Sequence, residues 1–371
     1  MNRILYVGMD VHTTSFTLCC YDAQKDEIFA TAQMAPDYKN ILKYFEQLKK
    51  SCGNDFEILC GYEAGCLGYS LFHQLSEKGA YCVILAPSSM PQTNRREIKT
   101  DKRDAAKIAR CLAFNTYSAV HIPTEEDNAV KECIRMRDDE MEHLKGIKKR
   151  VIAFCTRNGK QFKEGKSYWT QMHISWLKSL SFSEAMLQEA FGEYLALYFQ
   201  SLAKVEMFDK RINEISHSEE YEQRVNKLIC FAGIKERTAL ATIVETGDFS
   251  RFATASQYAS YLGLVPGESS SGSSRNVTGI TKSGNCHIRR LLVESAQCYS
   301  RGRIGEKPKL LAKRQEGCDP KDIAYADRAC DRLKRKFNKM RYQTKKHNVT
   351  VAAVARELAC FIWGMMTGNT A

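Results

Sequence analysis

The N-terminal third of the chain switches hydrophobic period in an order that few folds accommodate. ILYVGMD (4–10), SFTLCCYD (15–22) and EIFATAQM (27–34) are short apolar runs with brief polar connections, and they read as three successive strands. Residues 37–51 change to three/four spacing, with Ile41, Leu42, Tyr44, Phe45 and Leu48 on one helical face. FEILCGYEA (56–64) is again a strand, and LGYSLFHQLSEKG (67–79) is a helix ended by Gly79. AYCVILAP (80–87) is a strand stopped by Pro87, and a helix follows near residue 100. Strands joined by short turns run antiparallel, whereas strands separated by helices cross over and run parallel. The expectation is an α/β domain with a mixed sheet, antiparallel first and parallel later.

Beyond residue 125 the pattern is helical. Val130, Ile134, Met141, Leu144, Val151 and Phe154 keep close to three/four spacing, as do Phe191, Tyr198, Leu202, Val205, Ile212 and Ile215. Ser181 and Glu184 form an S-x-x-E capping box before the second run. Two long helices joined by an aromatic loop (156–180) suggest an antiparallel coiled-coil arm, with a helical bundle as the alternative. A third, mainly helical region starts near 222 and contains one Gly/Ser-rich stretch, GESSSGSSRNVTG (267–279). Residues 228–252 have the shape of a helix-hairpin-helix, with Gly233-Ile234-Lys235 where G-x-G is usual; a plain helical turn is the alternative. The expected domains are 1–124, 125–221 and 222–371.

The net charge of +12 favours a polyanionic partner. It is concentrated: residues 301–346 hold 16 Lys and Arg against 6 Asp and Glu. Lys334, Arg335 and Lys336 in that segment are candidates for nucleic-acid contact, a solvated charged helix being the other reading. The fifteen cysteines include no C-x-x-C pair, so neither a zinc site nor a disulfide framework is indicated. No leader-like apolar region opens the chain, and no apolar run reaches membrane-span length. A reduced, cytosolic setting without membrane contact is expected.

Four acids are the candidates for chemistry. Asp10 ends the first strand, Glu63 the fourth, and Asp101 and Asp104 open the helix near 100 inside a nest of bases that includes Lys99, Lys102, Arg103 and Lys107. Strand ends of an α/β sheet converge at one edge, and helix positions i and i+3 share a face. Four carboxylates from three elements can therefore surround Mg²⁺, which takes oxygen ligands. The plainer alternative is helix capping, with Asp101 as N-cap and Asp104 as a first-turn acid.

The second constellation is GLVPGESSSGSSRNVTGITKSGNCHIRR (263–290). Serine hydroxyls beside Arg275, Lys282, Arg289 and Arg290 suit phosphate binding or attack on phosphorus, and a solvated linker is the alternative.

Together the motifs resemble the DEDD transposases of insertion sequences, the bridge-RNA-guided recombinases. The resemblance rests on G-x-D at Gly8–Asp10, E-A-G at Glu63–Gly65, K-T-D-x-x-D-A at Lys99–Ala105, D-F-S-R-F at 248–252, G-L-V-P at 263–266, S-G at 271–272, and T-K-S-G-N followed by R-R. It covers essentially the whole chain. It implies a RuvC-like ribonuclease-H fold whose Asp10, Glu63, Asp101 and Asp104 bind Mg²⁺. It also implies a nucleophilic serine five residues after Pro266, namely Ser271, with Ser269 and Ser270 adjacent. That serine would form a covalent phosphoserine link to DNA. The implied partners are donor and target DNA, a structured guide RNA that pairs with both, and further copies of the chain, dimer to tetramer, in which acids and serine come from different protomers.

Three other readings share parts of this pattern. A metal-dependent junction resolvase or nuclease would use the acids but not Ser271. An actin-like or sugar-kinase ATPase is echoed by GMDVHTTSFTL, but His12 stands where that class has glycine, and no second Gly-rich phosphate loop follows. A purely structural RNA-binding protein would have no use for converging acids.

Overall fold

In the N-terminal unit, β1 (Arg3–Val11) runs through a five-stranded sheet. On one side lie β2 (Phe16–Asp22) and β3 (Glu27–Met34), each antiparallel to its neighbour. On the other lie β4 (Phe56–Glu63) and β5 (Tyr81–Leu85), both parallel, which gives the order β3-β2-β1-β4-β5. This computed structural model describes residues 3–53, 55–91, 100–268 and 276–370, and the chain divides into two units, Met1–Ile122 and Pro123–Ala371.

Strand alternation sorts the two faces of the sheet. Leu5, Val7, Met9, Phe16, Leu18, Cys60 and Tyr62 pack under α1 (Tyr38–Cys52) and α2 (Ser70–Glu77), against Ile41, Tyr44, Phe45, Leu48, Leu71 and Leu75. The intervening positions, among them Tyr6, Cys19, Tyr21 and Leu59, meet α3 (Asp101–Ala113) through Ala105, Ile108, Ala109 and Leu112. Gly8 lies on that second face. A methyl built there would stand 2.0 Å from the Ala105 carbonyl oxygen and 2.4 Å from the Ala109 nitrogen. Only glycine lets α3 lie this close to β1.

The second unit begins with α4 (Glu125–Arg157), followed by α5 (Gln171–Ser179) and α6 (Ala185–Ser216). α4 and α6 are antiparallel: Arg137 makes a two-pronged ion pair with Asp209, and Phe154 stacks on Phe191 at the far end. Leu144, Ile147, Val151, Phe154, Leu177, Phe191, Tyr198 and Val205 form a core along the distal half of the pair. At the near end, Val130, Ile134 and Ile212 join a larger core built from α7 (Glu222–Ile229), α8 (Glu236–Thr246), α9 (Ala255–Tyr261), α10 (Cys286–Ala296), α12 (Pro320–Tyr342) and α13 (His347–Thr367), with the short α11 (Lys309–Arg314) beside them. The helical pair is thus rooted in the same compact unit as the C-terminal helices.

Several expectations differ locally. The expected capping box does not form: Glu184 occupies the N-cap of α6 without a side-chain cap bond, and the Phe182 amide donates to Gln188 instead. α13 is long and apolar enough to cross a membrane, contrary to the expectation that no run reaches that length. Its Val351, Val354, Leu358, Ala359 and Ile362 are buried in the helical core, which accounts for its composition. All fifteen cysteines are free thiols.

Candidate functional site

The acidic site is built where β1 leaves the sheet. Asp10 lies on the α3 face, two residues beyond Gly8. Thr100 caps α3 by accepting the Arg103 amide, so the capping role expected of Asp101 is filled by its neighbour. Asp101 and Asp104 occupy the first turn of α3, one turn and one residue, respectively, before Ala105, whose carbonyl rests on Gly8. The glycine contact therefore sets the distance between these acids and Asp10. Ligand-capable atoms of Asp10, Asp101 and His12 all lie within 4.8 Å of one another. Asp104 is close enough to act on Asp10 through its charge. Glu63 follows Tyr62, which pairs with Met9, so the backbone sets Glu63 beside Asp10 on the neighbouring parallel strand. Its carboxylate is not among the atoms meeting within 4.8 Å.

The electrostatics fit a cation. Burial pushes the Asp10 carboxyl above its ordinary range; His12 opposes this, while the negative charges of Asp101 and Asp104 add to it. The Asp10 Oδ2 is buried without a hydrogen-bond partner among the described residues. An orphaned carboxylate oxygen facing other acids is what a hard divalent cation would satisfy. His12 was not among the expected site residues. The available signal was its position two residues after Asp10, at the start of the turn that follows β1.

The expected phosphate-binding residues separate into two groups. Lys102 and Arg103 are exposed on the first turn of α3, and Lys282 is exposed at a positive φ of 57° after β7 (Val277–Ile280). Arg335 is exposed on α12. Lys334, Lys336, Arg289 and Arg290 have named partners within the chain. Lys334, expected on a nucleic-acid surface, is only 4% exposed and donates to the Arg303 and Glu306 carbonyls at 2.7 and 3.2 Å. Lys336 pairs with Glu357 at 2.7 Å. Arg289 donates to the Leu262 and Ser283 carbonyls, and Arg290 pairs with Asp138 and Glu294. Lys99, Ser271 and Arg275 lie outside the described residues, as do Ser269 and Ser270.

β6 (Pro266–Glu268) pairs antiparallel with β7, so a two-stranded ribbon flanks residues 269–275 where few strand signals were expected. The base of the ribbon is clamped. A Cβ at Gly284, whose φ is 68°, would sit 1.8 Å from the Tyr261 carbonyl oxygen. Asn285 caps α10 and donates to Glu245, which is also held by Arg135 of α4. The T-K-S-G-N motif is thus a structural turn tied to α4, α8 and α9.

Two family matches span most of this architecture. Residues 7–157 match a DEDD-type family described as Transposase, and residues 226–309 match the family described as Transposase IS116/IS110/IS902. The chain is 36% identical over 250 residues to the Transposase for insertion sequence element IS1533 of Leptospira borgpetersenii, covering 67% of this chain and 71% of that protein. A Sinorhizobium fredii relative, y4qE, is 33% identical over 304 residues, 82% of this chain and 74% of its own. The Transposase for insertion sequence element IS1111A of Coxiella burnetii is 25% identical over 300 residues, 79% and 77%.

Proposed function

The chain belongs to the IS116/IS110/IS902 family of transposases, and from that premise we propose that it cuts and rejoins DNA by attack of Ser271 on a backbone phosphate beside a divalent-metal centre. The observation that supports the metal centre in this reading is the meeting of Asp10 with Asp101 at one end of β1, with an Asp10 oxygen left unpartnered among the described residues. Asp10, Asp101, Asp104 and Glu63 would hold Mg²⁺. The sheet order, with an antiparallel half and a parallel half about β1, is the feature that supports the RuvC-like ribonuclease-H reading.

Bound metal would neutralise charge on the phosphate oxygens. The chain's own groups do the rest. Lys102 and Arg103, exposed beside the acids, can hold the flanking phosphates. The Ser271 hydroxyl gives up its proton as its oxygen bonds to phosphorus, one ester bond of the strand breaks, and the departing deoxyribose oxygen takes up a proton in exchange. The phosphoserine keeps an ester bond available for rejoining, which hydrolysis would not. The β6–β7 ribbon, firmly seated at its base, is suited to presenting this segment to a site on another copy of the chain. Donor and target DNA, a structured guide RNA and a homo-oligomer in a prokaryotic cytosol complete the proposal.

A hydrolytic nuclease is the second reading, because an acidic metal centre serves a water nucleophile equally well. Denaturing electrophoresis of labelled DNA after reaction separates the two. A covalent protein–DNA adduct is expected from the unmodified chain and none from Ser271→Ala, which should still bind DNA. Adduct from Ser271→Ala moves the role to Ser269 or Ser270; cutting without adduct by the unmodified chain establishes hydrolysis. A discrete RNA co-purifying with the protein tests the guide.

A further inference from the structure

We propose that His12 is itself a metal ligand, its imidazole nitrogen joining Asp10 and Asp101 in a mixed nitrogen–oxygen donor set. The inference rests on the metal-centre reading and adds a residue that a set of four carboxylates does not contain.

The geometry is that of ligands to one ion. His12 Nε2 stands 3.3 Å from Asp10 Oδ1. Ligands at about 2.1 Å from an octahedral ion lie about 3 Å apart when adjacent and about 4.2 Å apart when opposite. The separation of His12 and Asp10 fits adjacent positions, and Asp101 offers a ligand atom within 4.8 Å of both. The backbone holds His12 there: its amide donates to the Ser15 carbonyl at 3.0 Å, closing the turn from β1 to β2. Its side chain is about half exposed, open to an arriving cation.

An imidazole changes which ion is preferred. Mg²⁺ selects oxygen ligands and holds its waters, whereas first-row transition cations accept imidazole readily. A centre of two Asp oxygens and one His nitrogen should therefore favour such cations, Mn²⁺ among them, over Mg²⁺.

The test is pulsed electron paramagnetic resonance of the full chain loaded with Mn²⁺, alongside Mn²⁺ titration in competition with Mg²⁺. Nitrogen modulation from a directly bound imidazole is expected in the unmodified protein and should vanish in His12→Gln. His12→Ala should weaken Mn²⁺ binding on the order of tenfold or more, and Mg²⁺ binding by less. Bound Mn²⁺ without nitrogen modulation, or an unchanged spectrum and affinity in His12→Gln, overturns the proposal and leaves His12 as a group that orients Asp10. If the unmodified protein binds no more Mn²⁺ than Asp10→Asn does, the metal-centre reading itself fails and the ligand role falls with it.

Discussion

Gly8→Ala tests whether the close packing of α3 on β1 builds the acidic site. The added methyl would meet the Ala105 carbonyl oxygen at 2.0 Å and the Ala109 nitrogen at 2.4 Å, both backbone atoms that no rotamer change can remove. Ordinary contact needs about 3.4 Å, so α3 must move outward by roughly 1.4 Å. Overpacking of this kind costs about 1–3 kcal/mol, and contact with backbone puts this case toward the upper end. The same shift carries Asp101 and Asp104 away from Asp10, and a displacement of about 1 Å in a reacting geometry can cost about 100-fold in rate. Urea unfolding, Mn²⁺ titration and strand cleavage should therefore all be affected. Gly146→Ala is the control: it lies within α4 with nothing within 4 Å of the added atom, and should stabilise by up to about 1 kcal/mol. A Gly8→Ala protein within about 0.5 kcal/mol of the unmodified chain, with unchanged metal affinity and cleavage, would refute the reasoning.

Asp10→Asn and Asp101→Asn should each abolish strand cleavage while leaving the circular dichroism spectrum unchanged; retained cleavage by either would separate it from the chemistry. Lys334→Met removes the donor to two carbonyls and should cost about 1–3 kcal/mol in urea unfolding. Arg335→Glu, on the exposed side of the same helix, should leave stability alone; if that face meets duplex DNA, the salt slope of binding should fall by about 0.9 for each phosphate that is no longer neutralised. Burial favours the neutral form of Glu357, but hydrogen bonds from Lys336 and Arg332 outweigh it and hold the carboxyl below its ordinary value of 4.5. A lowered folded-state value stabilises fully above the unfolded value and is lost as pH falls through the folded one. The acid limb of a stability–pH profile, below about pH 4.5, should accordingly flatten in Glu357→Gln.

The order of elements in the first 113 residues was legible from sequence because hydrophobic period is a local property. The strands expected at 4–10, 15–22, 27–34 and 56–64 are β1 to β4 within a residue or two, and the long helical runs are α4 and α6. Asp10 and Glu63 could be placed at strand ends, and Asp101 and Asp104 on one helical turn, by the same local logic. How near those acids come to one another depended on Gly8 meeting Ala105, a contact across almost a hundred residues that no window of sequence reports. His12 joined the site because the turn after β1 folds it back beside Asp10. Lys334 left the expected surface because the carbonyls of Arg303 and Glu306 needed a buried donor, and α13 is apolar because helices surround it. The β6–β7 ribbon escaped notice because its strands are only three and four residues long. Periodicity and capping are written in neighbouring residues; proximity and burial arise only when distant segments pack.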